Sequence, residues 1–290
     1  MPIQQLVEYF NDRLEWEHHT NFRPFIIDNC VARGLFGPVQ ISSELTPLRE
    51  LAKPEQIAGY TAQLNVTTAE IPDLLSHELD LLLSLPAQQG INTDSIVNFD
   101  RLTRTVHMLN FLPLAHDGGF LQLDVDPRHI LGVKKDHGAY FQEVISKCGL
   151  EAHNVVITLR VTSTYKAYYP ALLKGLENYR ERGYRLALRF DYQALGKATN
   201  DLIAALAPDF VSLSGRQLST HQDNQLLDKL ARLQLLTHKE LGKTILLEIG
   251  DKQTAALARK IGFNLVQGPY YESYGQHALK EPVRLAASGG

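Results

Sequence analysis

Cysteine is scarce in this chain: Cys30 and Cys148 are the only two among 290 residues, and their spacing matches neither a disulfide framework nor a zinc motif. That excludes a small stapled scaffold, favours a reducing cytosol and leaves two buried thiols as the expectation. A surplus of basic charge is also missing. The formal net charge is −3 with Lys and Arg spread along the chain, so there is no basic stripe for a phosphate backbone and nucleic acid is not expected as a partner. No apolar run approaches the ~20 residues needed to cross a bilayer. The stretch from Met1 to Trp16 carries Glu8, Asp12 and Glu15 where a secretion signal needs basic and then apolar residues. Neither membrane nor export is expected, and the expected location is cytoplasmic. Internal repeats, low-complexity runs and linkers are absent too.

What is present is enough apolar residue, 44% of the chain, to build one large core or two ordinary ones. Ile3, Leu6, Val7, Phe10 and Leu14 recur at helical spacing, so residues 1–20 are expected as an amphipathic helix packed on the rest, with Trp16 in the packing. Two short apolar segments follow, Phe22 to Asp28 and Leu35 to Ile41, joined by a turn over residues 29–34, and they read as a hairpin. Residues 46–89 are rich in Leu and Glu and are expected to be helical, most clearly from Ile71 to Leu85.

From Asp94 onward, helix-like and strand-like stretches alternate, the pattern of βα units on a parallel sheet. The strand candidates are Leu121–Val125, Val155–Val161, Leu186–Phe190, Phe210–Leu213, Ile245–Glu248 and Leu265–Gln267. With the opening pair they make about eight, which fits a closed (β/α)8 barrel over residues 21–290 better than an open sheet. In such a barrel the reacting groups sit at the C-terminal strand ends. Polar residues there include Asp124, Asp126, Thr158, Arg160, Arg189, Asp191, Ser212, Ser214, Glu248, Asp251 and Gln267.

The last strand end, Leu265-Val266-Gln267-Gly268-Pro269-Tyr270-Tyr271, resembles the closing Q-G-Y-x-F motif of the EAL family of cyclic-di-GMP phosphodiesterases. Walking backward, Thr244–Asp251 is similar to the family's A-E-G-V-E strand, Gly183–Leu195 to its D-D-F-G-T-G strand, and Val155–Thr162 to its E-x-T-E strand. Leu121–Pro127 stands in place of the asparagine strand, and Phe22–Ser43 in place of the opening that ends in E-A-L-x-R. The resemblance runs from Phe22 to Tyr271 and implies a barrel of the EAL type with its first strand antiparallel to the rest.

Carried over residue by residue, the resemblance implies a degenerate site. The signature glutamate falls on Val39 and the phosphate-clamping arginine on Ser43. The glutamates of E-x-T-E fall on Thr158 and Val161, the paired aspartates on Arg189 and Phe190, and the water-activating lysine on Ser212. A slip of one residue would let Asp191 replace one lost aspartate. Asp124 replaces the asparagine, Glu248 and Gln267 match, and Asp251 stands in for a glutamate. Hydrolysis in this family relies on two divalent cations, which need oxygen ligands. Arg189 is a permanent cation, and a guanidinium ~4 Å from a divalent ion costs on the order of 8 kcal/mol at an effective dielectric of 20. No catalytic residue, bound metal or other cofactor is therefore expected.

Two placements of Arg189 stay open: paired with Asp124, Glu248 or both, or turned to solvent. Glu248 and Gln267 either line a vestigial cleft with Asp124, Arg160, Arg189, Asp191 and Asp251, or merely cap strand ends and bond loop amides. The resemblance implies a pseudo-enzyme that acts through a protein partner such as a transcriptional, motility or biofilm regulator, with a homodimer as a further expectation. The alternatives are a cyclic-di-GMP receptor that binds without hydrolysis and a residual phosphodiesterase.

Overall fold

Asn29 and Cys30 both take positive φ, 50° and 64°, the left-handed pair that closes a two-residue hairpin with the twist its strands need. In the computed structural model, which describes residues 3–18, 21–68, 93–117, 119–133, 138–216, 218, 224–272 and 274, this turn joins β1 (Phe25–Asp28) to β2 (Val31–Phe36). A second turn, opened by Gly37 at φ 59°, leads into β3 (Val39–Glu50). The expected hairpin thus has other boundaries. Val31–Gly34 is strand rather than turn, and Leu35–Ile41 straddles the Gly37 turn, because two left-handed residues suffice where six were allotted. Cys30 is exposed on this turn and Cys148 is partly buried, both as free thiols, so the expectation of two buried thiols fails.

Residues 46–68 are not helical. They complete β3 and form β4 (Lys53–Thr68), a long antiparallel pair in register from Val39↔Thr68 to Leu48↔Gly59, with bulges before Arg49↔Ile57 and Glu50↔Lys53. Leu and Glu favour helices only weakly, and cross-strand pairing of Thr46, Thr61, Val66 and Thr67 overrides them. Pro47 is tolerated because that part of β3 has no second strand partner: β2 pairs only with Val39–Ile41 and β10 (Leu265–Val266) only with Arg49 and Glu50. The helix expected over Ile71–Leu85 lies outside the described residues.

The remaining elements alternate as expected. Helix α1 (Ile3–His18) opens the chain, and α2 (Thr93–Phe111) precedes β5 (Phe120–Val125), α3 (Pro127–Gly132) and α4 (Ala139–Cys148). Next come β6 (Val155–Val161), α5 (Tyr169–Glu181), β7 (Arg185–Phe190) and α6 (Lys197–Leu206). Then β8 (Phe210–Ser214), α7 (Asn224–Lys239), β9 (Lys243–Leu247), α8 (Lys252–Ile261) and β10 complete the described order. The strand order is β1-β2-β3-β10-β9-β8-β7-β6-β5-β4, and the β3–β4 pairing closes it. Eight staves, β3 to β10, form the barrel. Strand β3 is antiparallel to both neighbours and all other staves run parallel. The antiparallel first stave is therefore found, and β1 and β2 are an added ribbon.

Side-chain alternation along each stave divides the core. Leu121, Leu123, Ile157, Leu159, Leu186, Leu188, Val211 and Leu246 face the surrounding helices, while Phe120, Val156, Ala187, Phe210, Ile245 and Leu265 fill the lower barrel. Arg185 plugs the base, its guanidinium 4.9 Å from the Phe120 ring centre and 5.7 Å from that of Phe210. Helix α1 buries Leu6, Val7, Phe10 and Leu14, each contributing about 1.5–3 kcal/mol. Trp16 lies about 200° further round that helix than Leu14 and is 74% exposed, so it does not pack.

Two asparagines finish the ribbon's open edges. Asn11 exchanges two hydrogen bonds with the backbone of Phe25, at 2.8 and 2.9 Å, and Asn110 of α2 does the same for Ala32, at 2.8 and 2.8 Å. Each amide takes the place of a missing strand and removes an unpaired edge.

Candidate ligand cleft at the barrel mouth

Inward-pointing residues sit two apart on each stave, so the strand ends define levels. Above the apolar base lies a buried polar layer of Thr61, Gln122, Thr158 and Ser212. The Gln122 amide donates to Ser212 Oγ at 3.3 Å, whereas Thr61 Oγ1, Thr158 Oγ1 and Gln122 Oε1 have no hydrogen-bond partner among the described residues. One level higher is an open cleft of about 450 Å³ whose walls include Asp124, Arg160, Arg189, Asp191, Glu248 and Gln267. Six of the seven cleft residues expected from the sequence thus come together.

Ion pairs organise this mouth. Arg189 Nη1 donates to Asp124 Oδ2 at 2.7 Å, so of the two open placements the paired one is found, with Asp124 as the partner. Glu248 accepts instead from the Ser214 hydroxyl and stands 3.1 Å from Arg216 Nη2. Asp126 receives the Arg128 guanidinium at 2.6 Å. Arg160 and Arg189 are direct cross-strand neighbours on β6 and β7. Arg160 is exposed and has no ion pair or hydrogen bond among the described residues.

Gln267 and Asp251 have backbone duties. Glu248 is held at φ 58°, a conformation that costs a residue of this kind about 1–3 kcal/mol, and Gln267 Oε1 accepts its N–H at 3.1 Å. Gly268 follows at φ 144°, where an added Cβ would stand 2.2 Å from the Ile249 nitrogen, so only glycine fits. Asp251 lies outside the cleft as the N-cap of α8, accepting from Thr254 N at 2.8 Å. That backbone bond holds its carboxyl below the usual range.

Val39 and Ser43 are not brought to the cleft. β3 runs antiparallel, and Val39 pairs with Thr68, seven residues past Thr61 and therefore about 23 Å along β4. Ser43 Oγ bonds His107 Nδ1 at 2.6 Å, and burial pushes that imidazole down to about 3, which keeps it neutral. The parallel stave whose end does reach the mouth carries Thr61-Ala62-Gln63-Leu64-Asn65, and Thr61 to Leu64 line the cleft. Val161 and Phe190 point outward into the helical shell. Sequence reasoning missed Thr61 and Gln63, whose alternation within residues 58–68 was the available sign.

Behind the mouth, α2 contributes a buried knot. Asp100 accepts from Arg104 and from the backbone N–H of Asp126, the latter at 3.1 Å. His129 Nδ1 lies 3.1 Å from the same carboxylate. Arg104 also reaches Tyr179 Oη at 3.2 Å and stacks 3.7 Å from the Phe141 ring centre. Burial pushes the Asp100 carboxyl up against the pull of Arg104 and that backbone donor. Burial likewise works against the charge on Arg104, yet Asp100 and Tyr179 hold its pKa above the ordinary guanidinium value.

A divalent cation does not fit this donor set. The carboxylates facing the cleft each lean on a different arginine or stand apart, and among the described residues no three His, Cys, Asp or Glu side chains converge to hold a metal ion. No helix among the described residues is long and apolar enough to cross a membrane.

No family model matches the chain, and no curated protein matches it in sequence. Solved structures match its fold. The EAL domain of Xanthomonas citri FimX, in complex with c-diGMP, aligns with a TM-score of 0.63 at 13% identity over 92% of both chains. The Bacillus subtilis YkuI protein, with an EAL domain and in complex with c-di-GMP and calcium, aligns at 0.60 and 20% identity over 79% of this chain and 54% of its own. Klebsiella pneumoniae BlrP1 with FMN and cyclic diGMP, no metal ions, aligns at 0.57 and 15% over 81% and 53%. The chain spans about half the length of the latter two. Its barrel is that of EAL domains, and identities this low carry the fold alone.

Proposed function

We propose that this chain is a non-catalytic EAL-like signalling protein that has lost its phosphodiesterase site and acts by binding a protein partner of the transcriptional, motility or biofilm regulator kind. One observation carries the reading: the Arg189–Asp124 pair at 2.7 Å in the middle of the mouth. A fixed guanidinium there opposes a divalent ion, and Thr61 and Thr158 offer neutral hydroxyls where a two-metal reaction needs carboxylates. The test incubates purified chain with cyclic-di-GMP and Mg2+ or Mn2+. No linear dinucleotide should form, and steady, EDTA-sensitive production would overturn the reading. Affinity capture with immobilised chain then identifies the partner.

A second reading is a cyclic-di-GMP receptor without hydrolysis. It is favoured by the open cleft of about 450 Å³ and by a neighbour described as holding cyclic diGMP with no metal ions. Calorimetry with and without Mg2+ separates the two: saturable binding in EDTA supports the receptor, and the absence of heat leaves protein binding.

A further inference from the structure

The chain seals most of its strand edges. Asn11 and Asn110 close the ribbon, and Asp100 takes the Asp126 N–H at the upper end of β5. The upper edge of β4 is left open. β4 pairs with β5 only at Gly59, Tyr60 and Thr61, and above that level it pairs with β3 alone among the described residues. The turn at Gly37 and Pro38 fixes which way each backbone group points. It closes on the Phe36↔Val39 pair, so Val39 and Ile41 bond to β2, while Gln40, Ser42 and Glu44 turn to β4. Pro47, which has no N–H, falls on the set that does not bond β4, as this alternation requires. Thr67, Asn65 and Gln63 are thereby used, and the intervening Leu64 and Val66 face the open edge. Neither has a backbone partner there among the described residues. Leu64 lines the cleft.

The wall opposite suits a side chain of one kind. Helix α2 brings Phe99, Thr103 and His107 to the same cleft. Thr103 is 9% exposed, and its Oγ1 has no hydrogen-bond partner among the described residues. Ser43 occupies Nδ1 of the buried His107 at 2.6 Å and leaves Nε2 over.

We propose that the β4 edge at Leu64 and Val66 is the docking site for an extended segment of a protein partner, which adds to β4 as a strand and directs an Asn or Gln side chain at Thr103 and His107. An edge with unpaired N–H and C=O groups is a template for a strand from another chain. A carboxamide supplies both a donor and an acceptor to a hydroxyl and an imidazole nitrogen, whereas a charged side chain would lose its hydration there without a counter-ion. A second copy of this chain does not suit the place, because its comparable edge is recessed in the same cleft. The inference rests on the reading of the chain as a partner-binding protein and names how the partner is held.

The first measurement needs only the full chain. By NMR-detected hydrogen exchange, the Leu64 amide should exchange fast beside the protected Gln63 and Asn65, and equal protection of all three overturns the open edge. The second selects short random peptides, displayed on phage, against the immobilised chain. Enriched peptides should carry Asn or Gln and slow exchange at Leu64. They should bind about 10-fold more weakly when N-methylated at the backbone positions that face β4, or when the chain carries Thr103→Val. The N-methylated peptides are tested on the parent chain, so that result is independent of how any variant folds. No enrichment, or binders indifferent to N-methylation that leave the Leu64 amide unprotected, overturns the docking site. Protection that rises with chain concentration in the absence of peptide assigns a second copy and overturns it too. A partner identified by affinity capture that leaves Leu64 exchanging freely overturns strand docking but leaves partner binding intact, whereas failure of both capture and selection removes both.

Discussion

Replacing Arg104 with methionine tests the buried knot behind the mouth. Arg104 is 1% exposed and its partner Asp100 only 7%, so Arg104→Met leaves a carboxylate without its cation in the interior while nearly conserving apolar volume. Removing one partner of such a pair costs about 3–5 kcal/mol, and the lost bond to Tyr179 and contact with Phe141 work in the same direction. The corresponding fall in Tm is about 6–15 °C. Burial already pushes the Asp100 carboxyl up, so the folded chain holds that proton more tightly than the unfolded one. This favours the folded state at acid pH, and the advantage fades as pH rises through the raised value. Without Arg104 the rise is larger, so the variant's deficit is greatest at neutral pH and shrinks towards acid pH. Urea denaturation of the parent, Arg104→Met and Arg104→Met with Asp100→Asn, at several pH values, provides the measurement. The double variant removes both charges and should recover about 2 kcal/mol or more. A double variant no more stable than the single one, or a deficit that stays flat with pH, refutes the reasoning.

Three further outcomes follow from local geometry. Gly268→Ala drives a Cβ to 2.2 Å from the Ile249 nitrogen and should destabilise the chain by about 3 kcal/mol or more, measured as a lowered urea midpoint. Asp251→Ala removes the cap of α8 and should cost about 1 kcal/mol. Because the folded Asp251 carboxyl is held below the usual range, its contribution is present above the ordinary carboxylate pKa and disappears as pH falls through the lowered one, so parent and variant should converge at strongly acid pH. Asn11→Ala exposes the β1 edge, and hydrogen exchange at the Phe25 amide should accelerate while the central staves keep their protection; equal protection in parent and variant would show that the edge is sealed by something else.

The legible parts of the chain share one physical property. In β5 to β10 each stave is a short apolar run between helical stretches, and the strand boundaries fall within a residue or two of those read from the pattern. Six of the seven residues expected at the mouth were found there because alternation and chain order together dictate which side chains top a parallel stave. The opening region was not legible in the same way. Its Leu-rich and Glu-rich composition reads as helix, yet residues 46–68 gain more from pairing with a neighbouring strand and closing the barrel than helix propensity offers. Misplacing that pair put Val39 among the expected site positions and overlooked Thr61 and Gln63, which line the cleft.

From periodicity and chain order alone came the class of fold and the added N-terminal helix. These are properties of side-chain type and spacing, which are local. The level of each residue along its stave, the choice of Asp124 rather than Glu248 as the partner of Arg189, and the duty of Gln267 as a clamp on the Glu248 backbone were decided only by tertiary structure. Strand direction, register and the reach of one side chain across the mouth depend on contacts between residues far apart in the chain, and no local pattern encodes them.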